Sequence, residues 1–97
     1  MQQILKTAQA GTAESSDAII TIAPAEAGSG IQLDIQSSVF LQYGQAIKAT
    51  IENTIKAQGV ADARVKIVDR GALDYTLQAR TLAALSRAGV QLKEVCQ

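Results

Sequence analysis

The first half of the chain alternates apolar and polar residues with the period of a β-strand. After Asp17 the run AIITIAP is rich in β-branched residues, and IQLDIQS then alternates Ile31, Leu33 and Ile35 with polar neighbours. Such alternation is typical of strands that bury one face. The intervening AEAGSG has the composition of a flexible loop, so the pattern predicts that the two strands form a hairpin.

The middle of the chain carries the apolar stripe of an amphipathic helix. Ser37 or Ser38 offers an N-cap, Glu52 and Lys56 form a favourable surface pair, and Gly59 is placed to end the helix. The stripe recurs at spacings of three and four residues, at Phe40, Tyr43, Ile47, Ile51 and Ile55. This is the strongest secondary-structure signal in the sequence.

The last third of the chain allows two interpretations. In the first, ARVKIVD is a strand and RGA is a turn. Residues 74–80 then form a second strand with Tyr75, Leu77 and Ala79 on one face, and a short helix begins at about Thr81 and ends before Gly89. In the second, everything from Leu73 to Ala88 is one helix. The first interpretation gives the preferred order of strand, strand, helix, strand, strand, helix.

That order predicts the α+β class. We expect a small two-layer domain in which helices cover one face of a mostly antiparallel four-stranded sheet, β-β-α-β-β-α. Its length of 97 residues fits one domain spanning 1–97. Within it, residues 1–16 are expected to be a flexible N-terminal segment and residues 89–97 a tail.

Composition excludes several classes of partner. The nine basic residues balance the nine acidic ones, and aromatic residues make up 3% of the chain, so neither a charged surface nor a set of stacking platforms for nucleic acid is expected. No apolar run approaches the length of a membrane span, and the start lacks the features of a secretory signal. The lone Cys96 has no companions for a disulfide or a metal site. We therefore expect a cytoplasmic protein that binds no metal, nucleic acid or membrane.

The segment AGTAESSD raises the main chemical question, because two serines lie between two acids in a chain that contains no histidine. A serine nucleophile needs a base within hydrogen-bond reach. Glu14 and Asp17 are weak candidates for that base, since acids in an exposed stretch should keep pKa values near their reference values. Autonomous catalysis is therefore not expected. The GSG at 28–30 precedes a strand-like run, so it is not a nucleotide-binding loop either.

A serine in a small-residue, acidic segment can instead accept a group that another enzyme transfers. The donor enzyme supplies the base, and the acceptor needs only an accessible hydroxyl. The alternative is an ordinary loop before a strand, in which Ser15 and Ser16 cap backbone groups. Spacing alone does not decide between the two.

Three separated segments, the first of them quoted in two adjacent parts, resemble one family when they are taken together and in order. AGTAESSD, AIITIAP, SSVFLQYGQAIKATI and VKIVDRGALDYTLQAR are similar to the acyl carrier (gamma) subunit of citrate lyase over roughly residues 5–88. The family pattern is close to GTLESSD or GTLESGD, then NSSVxxQFG, then VxDKGALDCxxRAR. The departures of this sequence from it include Ala13, Gln36, Tyr43, Arg70 and Tyr75. None of these departures removes the serine that follows Glu14.

The resemblance implies a non-catalytic carrier. Ser15 would carry phosphoribosyl-dephospho-coenzyme A through a phosphodiester, and the thiol of that arm would hold acetyl or citryl as a thioester while alpha and beta subunits cleave citrate to acetate and oxaloacetate. Glu14, Ser16 and Asp17 would then shape recognition of Ser15 by the prosthetic-group transferase. Arg70 or Arg80 is a candidate partner for phosphates of the arm.

Two other readings stay open. One is a carrier for a sister system that uses the same arm, such as citramalate lyase or malonate decarboxylase, although the ESSD and GALD segments favour the lyases. The other is an unmodified interaction module, since a fold alone does not fix a function.

Overall fold

The structure is a computed structural model that describes residues 2–37 and 40–93. It contains four strands and two helices in the order β1 (Ala8–Gly11), β2 (Ala18–Ala23), β3 (Ile31–Ser37), α1 (Phe40–Ala57), β4 (Ala63–Asp69) and α2 (Asp74–Arg87). The class is α+β, as predicted. Three of the predicted strands and the middle helix lie where the residue pattern placed them.

The four strands form one mixed sheet in the order β1-β2-β4-β3. β2 pairs antiparallel with both β1 and β4, whereas β3 pairs parallel with β4. The predicted hairpin between β2 and β3 is therefore wrong, because β4 lies between these strands. The parallel pairing is possible because helix α1 carries the chain back across the sheet, so that β4 lies alongside β3 and runs in the same direction. β4 lies at the centre of the sheet between β2 and β3, and every second residue of it is buried.

The prediction of a strand at residues 74–80 is also wrong, and the single-helix interpretation is confirmed. Tyr75 is 69% exposed although the strand pattern grouped it with the fully buried Leu77. The buried residues of α2 instead follow the helical period, at Leu77, Thr81, Ala84 and Leu85. A strand alternation of three residues was too short to outweigh that longer helical stripe.

β1 was not predicted at all. It lies inside the segment expected to be flexible, and it pairs with β2 from Ala8 opposite Ile22 to Gly11 opposite Ile19. Its sequence AQAG contains no β-branched residue, so neither propensity nor a long alternation marked it as a strand. The flexibility of residues 1–16 stays a prediction.

The core lies between the helices and one face of the sheet. Its centre consists of residues that are fully or almost fully buried, Ile20, Ile22, Ile51, Ile55, Ile67, Leu77 and Leu85. Ile20 lies opposite Ile67 and Ile22 opposite Val65, so each apolar residue of β2 meets one of β4 on the helix-covered face. The other face carries exposed polar residues such as Lys66 and Asp34, which lie opposite each other on β4 and β3.

Glycines end both helices as the sequence predicted. Gly59 and Gly89 adopt positive φ angles of 78° and 98°, and Val90 N–H donates a hydrogen bond to the carbonyl of Leu85, which closes the end of α2. The predicted pair of Lys56 and Glu52 is present at 3.2 Å. Ser38, one of the two candidate N-caps, lies outside the described residues. Neither described helix combines the length and the apolar character that crossing a bilayer would require.

Candidate functional site

The serine pair lies at the tip of a tight turn between β1 and β2. Asp17 N–H donates to the carbonyl of Glu14 at 3.2 Å, which closes a four-residue turn with Ser15 and Ser16 at its centre. Ser16 has φ 65° and is the non-glycine residue with a positive φ among the described residues. Glu14, Ser15 and Ser16 are all exposed. The turn therefore presents both hydroxyls to solvent.

The backbone of this turn is joined to the central strand. Ser16 N–H donates to the carbonyl of Arg70 at 2.8 Å, and Arg70 N–H donates to the carbonyl of Asp17 at 2.9 Å. These two bonds continue the β2–β4 pairing by one step beyond Ala18 and Asp69. As a result, Ser15 projects from the end of the sheet at which β4 ends.

Asp17 is the only residue of the predicted site whose side chain points inward within the described part of the chain. Arg80 of α2 forks onto its carboxylate, with Nε 2.9 Å from Oδ1 and Nη2 2.8 Å from Oδ2. Thr12 donates its hydroxyl to Oδ2 at 2.7 Å, and Ala18 N–H donates to Oδ1 at 2.7 Å. The Asp17 side chain retains only 12% of its exposure. Four donors from three parts of the chain thus converge on one carboxylate.

This environment holds the pKa of the Asp17 carboxyl well below its usual range. The hydrogen bonds from Arg80 contribute most, followed by those from Thr12 and from the Ala18 amide, and the partial burial that opposes them is weaker. The pKa of Arg80 is raised in turn by its bond to Asp17. The expectation that Asp17 would keep a near-reference pKa is therefore wrong, because it was based on an exposed loop and the side chain is instead enclosed. Its charged form accepts bonds and is a poor proton acceptor.

Gly11 makes this arrangement possible. It ends β1 at φ 102°, where a Cβ atom would overlap the carbonyl oxygen of Ala18 and lie 3.3 Å from Cδ of Arg80. The absence of a side chain lets the two strands meet closely below the turn and lets the stem of Arg80 pass over β1. Sequence reasoning did not assign a role to Gly11 or Thr12. The spacing of a strand-ending glycine and a hydroxyl before an ESSD segment is the signal that points to them.

The two arginines proposed as phosphate partners differ. The guanidinium of Arg80 is engaged by Asp17. Arg70 is exposed, and within residues 2–37 and 40–93 the structure gives its side chain no hydrogen-bond or ion-pair partner. Only Arg70 therefore presents an uncommitted guanidinium beside the turn.

An open, largely apolar groove of about 560 Å³ lies at the same end of the sheet. It runs between the first half of α1 and the loop from β4 to α2, with Tyr43, Ala46, Ile47 and Leu73 among its lining residues. Asp69 forms its polar side, where its carboxylate accepts hydrogen bonds from the Ser37 hydroxyl at 2.7 Å and from the Ala72 amide at 2.9 Å. No general base for either serine is provided by these contacts.

Known proteins resemble this chain in sequence and in fold. The family profile described as malonate decarboxylase delta subunit (MdcD) matches residues 5–88. The citrate lyase acyl carrier protein of Fusobacterium nucleatum is 58% identical over 86 residues, which covers 88% of this chain and 90% of that protein. The protein of the same name from Halothermothrix orenii is 44% identical over 93 residues, with 96% and 97% covered.

A solved structure has the same fold. One chain of a Pseudomonas malonate decarboxylase hetero-tetramer, crystallised in complex with malonate, superimposes with a TM-score of 0.75 at 20% identity over 91% of this chain and 89% of that chain. At that identity the likeness concerns the fold. The profile match and the sequence identities show more, and this chain belongs to the acyl carrier protein family that includes the citrate lyase carriers and the malonate decarboxylase delta subunit.

Proposed function

We propose that this chain is the acyl carrier subunit of citrate lyase and that Ser15 bears its covalently attached phosphoribosyl-dephospho-coenzyme A arm. The observation that supports this most directly is the exposed turn, which presents the Ser15 hydroxyl at its tip in a chain whose relatives are named as citrate lyase carriers. When attached, the arm supplies a thiol that carries the acyl group as a thioester. The chain itself holds the arm and catalyses no step.

The geometry of the turn favours Ser15 over its neighbour. The Ser16 amide is bonded to Arg70 and its φ of 65° fixes the backbone in the left-handed region. Neither the hydroxyl nor the amide of Ser15 has a protein partner within the described ranges. A phosphodiester at Ser15 therefore displaces no existing hydrogen bond. The exposed guanidinium of Arg70, on the loop that binds the turn, is a suitable partner for a phosphate of the arm.

The other residues of the ESSD segment are proposed as recognition elements for the transferase that attaches the arm. Glu14 and Ser16 are exposed on either side of Ser15 and are available to that enzyme. Asp17 contributes from beneath the turn, since its carboxylate is occupied by Arg80 and Thr12.

The proposed partners are the alpha and beta subunits of citrate lyase, with the transferase as a partner during maturation. A tethered arm keeps its thioester at high effective concentration at successive active sites, which a free cofactor matches only when abundant. We place the complex in the cytoplasm, as the sequence predicts, and the balanced charge of the chain supports the absence of a membrane or nucleic-acid partner.

Intact mass tests the attachment site. The protein is produced together with its maturation enzymes, as the wild type and as the Ser15→Ala and Ser16→Ala variants. We expect the wild type and Ser16→Ala to gain the mass of the whole arm and Ser15→Ala to gain none. If Ser15→Ala gained the mass of the arm, the attachment site would be another residue. A wild type that never gains mass would favour an unmodified interaction module.

A carrier of malonate decarboxylase is the second candidate, because the matching family profile is described by that enzyme's delta subunit. A carrier of citramalate lyase shares the same arm. Loaded carrier mixed with the alpha and beta subunits of each lyase, or with the decarboxylase subunits, distinguishes these three. We expect cleavage of citrate, and turnover of citramalate or malonate alone would assign the chain to the sister system.

A further inference from the structure

The turn that carries Ser15 is attached to α2 as well as to the sheet. Asp17 follows the serine pair in sequence, and its carboxylate is held in a two-point bond by Arg80, which lies 63 positions further along the chain. Thr12, on the other side of the turn, bonds to the same carboxylate. The two ends of the turn are thereby tied to each other and to the helix through a single side chain.

The geometry of the contact between Asp17 and Arg80 is that of a strong ion pair. An arginine that forks onto both oxygens of a carboxylate gives two charge-assisted hydrogen bonds in a fixed plane. The Asp17 side chain is largely enclosed, while the Arg80 side chain retains 40% of its exposure and lies with its stem across Gly11. Arg80 lies outside the buried stripe of α2, which is formed by Leu77, Thr81, Ala84 and Leu85. The hydrophobic core therefore does not require an arginine at this position.

From these contacts we propose that Asp17 and Arg80 act as a pair of positioning residues that hold the Ser15 turn in the conformation that the transferase modifies. The inference depends on the proposed attachment at Ser15 and extends it. An acceptor that is already ordered does not lose conformational entropy when it enters a foreign active site, so the encounter complex is favoured. Without the contact between Asp17 and Arg80, the transferase would have to order the turn on binding. The conformational entropy lost in that step would weaken binding, so KM would rise more than kcat would fall.

The chain offers a matched control for Arg80. Arg87 lies two turns further along α2, is exposed, and also ties the helix to β1, where its Nη1 donates to the carbonyl of Gln9 at 2.7 Å. Arg80→Gln and Arg87→Gln each remove one positive charge from α2 and the hydrogen bonding of that side chain, to Asp17 and to the carbonyl of Gln9 respectively. Only Arg80→Gln removes a contact to the turn. Thr12→Val removes the other side-chain donor to Asp17, together with the longer 3.3 Å bond from the Glu14 amide to the Thr12 hydroxyl, without changing the charge or the approximate volume.

The first measurement is amide hydrogen exchange on the bare protein, which does not depend on any maturation enzyme. In Arg80→Gln we expect the amides of Ser16, Asp17 and Ala18 to exchange at least tenfold faster, while those of Ile20 and Ile67 in the core are unchanged. Thr12→Val should accelerate the same turn amides by a smaller factor, and Arg87→Gln should leave them within twofold of the wild type. Turn amides that keep wild-type rates in both Arg80→Gln and Thr12→Val would overturn the proposal.

The second measurement is the rate at which purified transferase adds the arm to each variant, followed by intact mass. We expect kcat/KM to fall at least tenfold for Arg80→Gln, mainly through KM, and to stay within twofold for Arg87→Gln. Equal losses in both variants would mean that the transferase reads basic charge on α2, and the proposal would be wrong. If the amides of Ile20 and Ile67 also exchange faster in Arg80→Gln, that variant is destabilised as a whole, and Thr12→Val becomes the test. A wild-type rate of arm transfer to Thr12→Val would then refute a positioning role.

The two proposals can fail separately. If the wild type acquires no arm at Ser15, the attachment proposal fails, and positioning for the transferase fails with it. Faster exchange of the turn amides in Arg80→Gln would still assign Asp17 and Arg80 a structural role. If the wild type is modified normally and Arg80→Gln is modified equally well, the attachment site stands and only the positioning role is lost.

Discussion

Replacing Gly11 with alanine should cost far more stability than the same change at Gly28. Both glycines have positive φ angles, 102° and 86°. A methyl group at Gly11 would overlap the backbone carbonyl oxygen of Ala18, whereas a methyl group at Gly28 would meet nothing within 4 Å. Gly28→Ala is therefore a control that shares the unfavourable backbone angle but lacks the clash.

The structure gives the size of the expected difference. At both positions an alanine at positive φ costs about 1 kcal/mol, after allowance for its restriction of the unfolded chain. At Gly11 the end of β1 must also move away from β2, which disrupts the pairing of Gly11 with Ile19 and of Ala10 with Ile20. Two backbone hydrogen bonds at about 1 kcal/mol each bring the expected loss to about 3 kcal/mol.

Urea unfolding followed by circular dichroism measures this difference. With an m-value of about 1.5 kcal/mol/M for a chain of this size, the unfolding midpoint should fall by about 2 M for Gly11→Ala and by about 0.7 M for Gly28→Ala. The corresponding loss in Tm is about 4–8 °C for each kcal/mol. Equal midpoints for the two variants would refute the argument that Gly11 is required by the close approach of β1 to β2.

Three further predictions concern the turn and the second helix. Arg80 and Thr12 hold the pKa of Asp17 below its unfolded value of about 3.9, so the stabilisation by Asp17 is complete above that pH and is lost as the pH falls towards the folded pKa. The urea midpoint of the wild type should therefore fall more steeply from pH 5 to pH 2.5 than the midpoint of Asp17→Asn. Parallel curves for the two proteins would contradict this. Ser16→Gly should keep stability within about 1 kcal/mol, because glycine tolerates the left-handed backbone, whereas Ser16→Val should lose about 1–2 kcal/mol in urea unfolding; a Val variant as stable as the Gly variant would argue against the φ of 65°. Leu77→Ala should lower the free energy of unfolding by about 2–5 kcal/mol and Leu73→Ala by less than about 0.5 kcal/mol, since Leu77 is fully buried and Leu73 is 58% exposed. Similar Tm values for the two variants would oppose the helical assignment of α2.

The elements that were predicted correctly are those with a long, regular pattern. α1 repeats its apolar residues over four turns, and β4 alternates over its full length, so each pattern has a single interpretation. The Asp74–Arg80 segment fits both periods over a few residues, and only the burial of Leu85 and Ala84 further on selects the helix. β1 is short and carries no strand-forming residues. Its place depends on pairing with β2, which is a tertiary contact that no local pattern contains.

The strand order could not be read from the sequence for the same reason. Adjacent strands often form hairpins, and the small residues between Ala23 and Ile31 permit one. The choice of β4 as the partner of both β2 and β3 depends on burying Val65 and Ile67 at the centre of the sheet. Hydrophobic burial across the whole domain decided the order, and the loop composition only allowed it.

The candidate site was predicted in part. The acceptor role of Ser15 was predicted from the family resemblance, because the residues alone left an ordinary loop open as well. It stays a prediction, with which the exposure of the turn agrees. The role of Asp17 did not follow, because its partner Arg80 is distant in sequence and Thr12 carries no charge that would mark it. Contacts between distant residues changed an expected exposed acid into the centre of a hydrogen-bonded cluster.

Citrate cleavage by the assembled complex is the most direct test of the carrier role. The same alpha and beta subunits are combined with bare subunit, with arm-bearing wild type, or with Ser15→Ala produced beside the maturation enzymes, and oxaloacetate formation is followed. The account predicts turnover with the arm-bearing wild type and none above background with the other two. Full turnover with the bare subunit would contradict it.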